Sequence, residues 1–221
     1  MSTEFMPKSP EDVLIRVQQT PNPQALKFIC NFPFLKEGKL TFKTAESAEQ
    51  LELVQLIFQV EGVTQVFLSD NTMTVSFEGT IEEELFEDAI CLLIKKNLPS
   101  HDVNIDSSLL DQTKVKKDLS ELSPKMREVE EILDRTIRPG LQADGGDVEV
   151  VSFTDNLVEI MYQGACGGCP SAMMGTLDAI QGILQQELKN DNIQVRPIME
   201  DYSMGGGFPG YSPYGQFPPE D

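Results

Sequence analysis

Two thiols in the second half of the chain are the residues best suited to chemistry. Cys166 and Cys169 stand three positions apart in the run 164–170 (GACGGCP). This spacing lets both sulfurs converge on one metal ion or cluster, and the two glycines between them let the backbone bend closely. Pro170 suits the first position of a helix, whose positive end would stabilise thiolates nearby. A metal or cluster site is therefore the first interpretation.

The same spacing has other uses. In a dithiol oxidoreductase, Cys166 would be the low-pKa nucleophile and Cys169 the resolving thiol. Against that alternative, the pair follows a predicted β-hairpin instead of lying in a thioredoxin-like βαβ pattern, and the chain contains no Trp. A purely structural pair in a loop is a third interpretation. A zinc-stapled adaptor is a fourth, and it lacks ligands unless Cys91 or His101 contributes.

Few other residues could complete the site. A tetrahedral zinc site or a cubane cluster needs about four ligands, whereas the chain has four Cys and one His in all. Cys30 and Cys91 lie in apolar strand and helix patterns, which predicts small buried hydrophobes, and His101 at the linker edge is not expected to be a ligand. A symmetric dimer, in which Cys166 and Cys169 of each chain supply four thiolates, is the economical solution.

The first half of the chain predicts an α+β domain over residues 12–100, because short β-type runs alternate with capped helical patterns. The expected strands, in two hairpins, are 13–18, 25–30, 63–69 and 72–78. The expected helices are 47–59 and 80–97. Each helix is assigned from a capping box, Ser47 to Gln50 in the first and Thr80 to Glu83 in the second.

The second half predicts a separate domain over residues 123–200. Ser123 and Pro124 are expected to open a helix that Pro139 and Gly140 end. The remaining expected elements are a hairpin of strands 147–153 and 157–163 with a three-residue loop, a helix over 171–189, and an edge strand over 193–199. Residues 101–122 are predicted to be a flexible linker, and 201–221, rich in Gly, Pro and aromatic residues, a disordered tail.

The acidic pair in the run 144–147 (DGGD) has two interpretations. The carboxylates of Asp144 and Asp147 could bind a hard cation or act in catalysis. Glycine pairs more commonly supply the positive φ angles of a helix-to-strand turn, and we take the turn as the expected role.

Several of these stretches together resemble a known family. The motifs of the second half are Arg138-Pro139, Leu141, the run 144–148 (DGGDV) and the run 164–171 (GACGGCPS). They are similar to the NifU C-terminal, or Nfu-type, domain. The run 19–28 (QTPNPQALKF) is similar to the Nfu N-terminal domain, so the resemblance covers roughly residues 12–100 and 123–199.

The resemblance implies an α+β protein of two small α/β-sandwich-type domains that acts as an iron–sulfur cluster scaffold and not as an enzyme. It implies a [4Fe–4S] cluster, or alternatively [2Fe–2S], bridging two subunits on Cys166 and Cys169 and passed to apo-proteins. The partners implied are a second copy of the chain, the machinery that donates clusters and apo iron–sulfur acceptors. The thiol–disulfide oxidoreductase stays as the alternative.

Charge and hydropathy exclude other partner classes. The formal net charge of −19 repels phosphate backbones and anionic lipid, which disfavours nucleic acid and membrane surfaces. No apolar stretch approaches the roughly 18 residues of a spanning helix, and no signal-peptide pattern opens the chain. The acidic first residues are opposite in charge to an organellar transit peptide. We therefore expect a cytoplasmic, bacterial protein, with a processed organellar form as the alternative.

Overall fold

Two sheets, each with helices packed on one face, account for the described parts of the chain. The computed structural model describes residues 6–105, 124–167 and 170–198. Residues 6–105, here called the N-terminal unit, and the described residues from 124 onward, called the C-terminal unit, have separate hydrophobic cores. The predicted α+β class with two domains is confirmed, while most of the predicted linker, the predicted tail and Cys169 lie outside the described residues.

The N-terminal unit is built on a five-stranded antiparallel sheet in the order β1-β2-β5-β4-β3. Its strands are β1 Ile15–Gln19, β2 Ala25–Cys30, β3 Lys39–Phe42, β4 Val63–Ser69 and β5 Thr72–Phe77. Side chains alternate between the two faces. The inner face buries residues such as Phe28, Leu68 and Met73 beneath helices α1 Glu52–Ile57 and α2 Glu83–Asn97.

Both predicted hairpins of the N-terminal unit are confirmed, but the helix starts are not. Ser47 donates its hydroxyl to the Thr44 carbonyl at 2.6 Å, so residues 46–48 form a short 3-10 turn and α1 begins only at Glu52. Helix α2 begins at Glu83, so Thr80 lies before it and caps nothing. Strand β3 was missed in the sequence, since its four residues are too few for a clear alternation pattern.

The C-terminal unit has a three-stranded sheet in the order β6-β7-β8, in which β8 runs parallel to β7 at the edge. Its elements are α3 Pro124–Thr136, α4 Arg138–Ala143, β6 Gly146–Thr154, β7 Leu157–Gly164, α5 Pro170–Glu187 and β8 Gln194–Pro197. Val150, Ile160 and Ile180 are fully buried between the sheet and its helices. The predicted hairpin, long helix and edge strand are confirmed.

Two local predictions in this unit were wrong. Pro139 and Gly140 do not end a helix; α3 ends at Thr136, and Pro139 lies in the first turn of the separate helix α4, where its missing N–H costs nothing. The hairpin loop has two residues instead of three. Asp155 and Asn156 have φ angles of 50° and 70°, as a tight primed turn requires, and β6 accommodates the difference through a bulge near Val151.

Candidate functional site

Cys166 lies in a tight turn between a strand and a helix. Strand β7 ends at Gly164, residues Ala165–Gly167 form one turn of 3-10 helix, and α5 begins at Pro170. Pro170 therefore opens the following helix, as predicted. Cys169 lies outside the described residues, so the structure places one of the two predicted thiols. We call residues 164–167 the cysteine turn.

Gly146 leaves the space that the Cys166 side chain occupies, and Gly145 and Gly164 let the backbone around it turn closely. A Cβ added at Gly146 would lie 2.3 Å from Cys166 Sγ and 2.9 Å from the Gln163 carbonyl oxygen. A Cβ at Gly164 would lie 2.5 Å from the Gly145 carbonyl oxygen. Gly145 and Gly164 also have φ angles of +81° and +62°, which residues with a side chain rarely adopt. The turn interpretation of the DGGD run is confirmed.

Burial and acidic neighbours raise the pKa of the Cys166 thiol. Burial is the larger cause and the negative charges of Asp144 and Asp147 add to it, and together they raise the pKa of the Cys166 thiol to about 12. The described surroundings of Cys166 therefore do not stabilise its thiolate, contrary to the expectation from the sequence. A thiol with a raised pKa is a poor nucleophile for disulfide exchange, whereas a soft metal can still displace the proton on binding.

The Asp147 carboxylate, only 2% exposed, lies near Cys166 and forms ion pairs with side chains of both units. It accepts a hydrogen bond from the Val148 N–H at 2.8 Å and forms ion pairs with Lys39 and, at 3.5 Å, with Arg138. Arg138 in turn pairs with Glu130 and donates to the Val148 carbonyl oxygen at 3.0 and 3.1 Å. Because two cations already neutralise Asp147, the geometry gives no support to a cation site at the DGGD run.

The other candidate ligands are elsewhere. Cys30 is 2% exposed within the N-terminal core, and burial raises the pKa of its thiol to about 12. Cys91 packs against the same core, and its pKa is raised to about 11, chiefly by burial. His101 donates its Nε2–H to the Phe34 carbonyl oxygen at 2.7 Å. All three have the structural roles expected from the sequence.

Within residues 6–105, 124–167 and 170–198, no group of three or more His, Cys, Asp or Glu side chains could hold a metal ion. A metal ion or cluster bound at Cys166 would therefore need further ligands from Cys169, from a second chain, or from both. The thiol sulfur is a donor that suits a soft, thiophilic group.

Sequence reasoning missed that the N-terminal unit touches this site. Asn22, from the turn between β1 and β2, donates its Nδ2–H to the Ala165 carbonyl oxygen at 3.1 Å. Gln65 on β4 donates Nε2–H to the Gly164 carbonyl oxygen at 3.1 Å. The turn chemistry predicted for residues 20–23 is present, since Thr20 bonds the Asn22 carbonyl at 2.8 Å, but Asn22 also reaches the residue before Cys166.

Comparisons with known proteins agree with this organisation. Residues 15–101 match the family described as scaffold protein Nfu/NifU N terminal, and residues 129–195 match the family described as NifU-like domain. A Homo sapiens protein named NFU1 iron-sulfur cluster scaffold homolog, mitochondrial, is 33% identical over 196 residues, which is 86% of this chain and 74% of the relative. A relative of the same name from Drosophila persimilis is 31% identical over 181 residues.

Coverage differs among these proteins. The match to the Drosophila persimilis protein includes 78% of this chain and 61% of that protein, so the chain spans about three fifths of that relative's length. A solved NifU-like protein from Saccharomyces cerevisiae aligns with 48% of this chain and 90% of its own, at 22% identity and a TM-score of 0.38. None of the helices in the described ranges is long and apolar enough to cross a membrane.

Proposed function

Since this chain belongs to the Nfu family of iron–sulfur cluster scaffold proteins, we propose that it binds an iron–sulfur cluster through Cys166 and Cys169 and transfers it to apo-proteins. The cluster is cargo, and the chain is a carrier and not an enzyme. The proposed cluster is [4Fe–4S], held between two copies of the chain so that four thiolates surround it.

The main support for this proposal is the position of the Cys166 thiol. Gly146 leaves open the space in which the Cys166 thiol sits, at the end of strand β7 and just before the helix that begins at Pro170, and the positive φ angles of Gly145 and Gly164 shape the backbone beside it. The strand fixes the thiol's position, while the glycines leave no side chain to compete for the sulfur. Cys169, three positions along, would supply the second ligand of each chain.

Dimerisation follows from the ligand count in this proposal. One chain offers two thiols at the site, and a four-iron cluster requires about four. A cluster shared at a subunit edge remains open to attack by an acceptor's thiolates, so ligand exchange can release it. The partners proposed are therefore a second copy of the chain, a cluster-donor system and apo iron–sulfur acceptors.

The oxidoreductase alternative is less well supported. An attacking thiol works best when its pKa is near the ambient pH. Burial and the nearby Asp144 and Asp147 raise the pKa of Cys166 to about 12, far from that range. A ligand thiol has no such requirement, because binding of iron drives off the proton.

The site of action has two candidates. The relatives' names place those proteins in mitochondria. We propose that this chain acts in the cytosol, with mitochondria as the alternative. Fractionation of cells that express the tagged chain distinguishes the two locations.

Cluster transfer is the direct test. The full chain is reconstituted anaerobically, separated from free iron and sulfide, and mixed with an apo-enzyme that regains activity on receiving a four-iron cluster, with a chelator present to trap free iron. We expect activity to return. Cys166→Ala and Cys169→Ala should abolish the return, while Cys30→Ala and Cys91→Ala, matched thiol controls in the N-terminal unit, should retain it. Loss of transfer in either control would refute the two-thiols-per-chain proposal.

A further inference from the structure

The N-terminal sheet has an outer face that is not part of its own core. Four residues form a row across four neighbouring strands on this face: Lys27, Thr74, Phe67 and Thr41. Phe67 is 2% exposed yet does not belong to the N-terminal core. Its burial comes from the C-terminal unit, since a Cβ at Gly164 would lie only 2.8 Å from Phe67 Cδ1. An aromatic side chain thus packs directly onto the cysteine turn.

In the polar contacts around Phe67, side chains of the N-terminal unit donate hydrogen bonds to backbone carbonyls of the C-terminal unit. Lys27 donates to the carbonyl oxygens of Gln142 and Ala143, at 2.9 and 3.0 Å, and so caps the C-terminal end of α4. Asn22 and Gln65 donate to carbonyls of the cysteine turn, as described above. The N-terminal unit supplies the donors in these contacts and the C-terminal unit the carbonyl acceptors, so the two surfaces are complementary.

The glycines of the site also permit this approach. A Cβ at Gly145 would lie 2.9 Å from Thr74 Oγ1 and 3.3 Å from Lys27 Cδ. The absence of side chains at Gly145 and Gly164 therefore serves two purposes: it shapes the turn, and it lets the sheet pack against the backbone beside Cys166.

The contact carries costs that favour reversibility. The Thr74 hydroxyl is buried without a hydrogen-bond partner among the described residues, which is unfavourable relative to exposure to water. Lys27, 7% exposed, has lost most of its hydration. A cleft of about 200 Å³ that opens to solvent also lies between the units, lined in part by Phe67, Asn71 and Gly146. Separation of the units would relieve the costs at Thr74 and Lys27.

We propose that the outer face of the N-terminal sheet is a reversible cover for the cysteine turn, anchored by Phe67 and Lys27, and that it must lift before a second chain can share a cluster at Cys166. The second clause rests on the proposed function. A shared cluster brings two copies of the turn within a few ångströms, because each Fe–S bond is only about 2.3 Å long. With the sheet packed on Gly164 and Ala165, the second copy has less room to approach.

The cover is tested first without any cluster. The full-length, reduced, metal-free chain is treated with iodoacetamide, and alkylation of Cys166 and of Cys30 is followed separately by peptide mass spectrometry. Phe67→Ala should accelerate alkylation of Cys166 about tenfold, since removal of a buried aromatic anchor weakens an interface by at least that factor. Lys27→Met should accelerate it about threefold, because two hydrogen bonds to carbonyls are lost.

Matched controls lie on the far side of the same unit. Leu92→Ala removes a side chain that is 66% exposed on α2, and Lys96→Met neutralises an exposed lysine of that helix; neither should change the rate at Cys166. Cys30, buried in the N-terminal core, reports unfolding. The cover would be overturned if Cys166 were alkylated no faster in Phe67→Ala and Lys27→Met than in the two controls. It would also be overturned if the alkylation of Cys30 accelerated in parallel with that of Cys166 in both variants, because general unfolding would then explain the result.

The link to the cluster is tested second, by reconstitution over a range of protein concentrations. Phe67→Ala should form the cluster-bridged dimer at about tenfold lower concentration than the native chain, because the binding-competent fraction is larger. If the variant instead loses its cluster more readily, the N-terminal unit positions the turn and the cover is refuted. If no variant binds iron while the alkylation difference persists, the proposed function fails and the reversible contact stands.

Discussion

The substitution Gly146→Ala tests the glycine-lined space around Cys166. The added Cβ would lie 2.3 Å from Cys166 Sγ, whereas ordinary contacts at Cβ begin at about 3.4 Å, so the thiol must move by about 1 Å or more. The Gln163 carbonyl oxygen, 2.9 Å away, belongs to the β6–β7 ladder and can yield little. Overpacking of this kind costs about 1–3 kcal/mol of unfolding free energy.

The effect on function should exceed the effect on stability. A metal-binding constellation tolerates displacements of only about 0.5 Å, so a thiol displaced by twice that distance should bind little cluster. We expect the variant to retain less than about a tenth of the native iron and sulfide after reconstitution. Urea unfolding followed by circular dichroism measures the stability, and colorimetric assays measure iron and sulfide.

Gly182→Ala is the matched control, because a Cβ there meets nothing within 4 Å and the residue lies inside helix α5. It should keep the full cluster content and gain about 0.5–1 kcal/mol from the better helix propensity of Ala. If Gly146→Ala matched this control in stability and in iron content, the proposed role of Gly146 would be refuted.

Three further predictions concern the scaffold around the site. Arg138→Met should cost about 3–5 kcal/mol in urea unfolding, because it removes the partner of the Glu130 carboxylate, 14% exposed, and one cation from the buried Asp147. Arg135→Met, at an exposed pair, should cost under about 1 kcal/mol, and equal costs would contradict the Arg138 network. Burial lowers the pKa of His101, so folding disfavours its protonation and stability falls as pH drops from about 6.5 toward the lowered value. His101→Gln should lose less stability than the native chain between pH 7.5 and 5, and an unchanged pH dependence would refute this. Asn156→Ala should cost about 1–2 kcal/mol in thermal unfolding, because Ala tolerates a φ of +70° poorly and the hydrogen bond from Asn190 is lost; an unchanged melting temperature would argue against the tight turn.

The sequence predicted the elements that carry strong periodicity. The hairpins at residues 63–78 and 147–163 and the helix ending at Asn97 follow from alternating or helical apolar patterns, which tertiary contacts reinforce. Helix starts were less predictable. The Ser47 hydroxyl could cap a helix or bond the nearby Thr44 carbonyl, and the local sequence does not decide between these two hydrogen bonds.

The site was predictable in its residue types but not in its environment. Spacing alone singled out Cys166, and the glycine runs indicated a tight turn. The raised pKa of the thiol depends on burial and on the approach of Asp144 and Asp147, which only the fold establishes.

The contact between the two units could not be predicted from the sequence, because its residues follow no periodic pattern that indicates burial. Phe67 alternates with core residues in β4, and nothing in a single strand shows that its outward face is also covered. Lys27 likewise reads as an exposed position between apolar neighbours, yet it is buried at the end of α4. Contacts between units far apart in sequence leave no periodic pattern.

Iron and acid-labile sulfide per chain, measured together with molar mass after anaerobic reconstitution, test the central claim most directly. About two iron and two sulfide per chain in a dimer are expected, because one four-iron cluster would be shared by two chains through four thiolates. A monomer that binds no iron and catalyses disulfide exchange would contradict the carrier and favour the oxidoreductase.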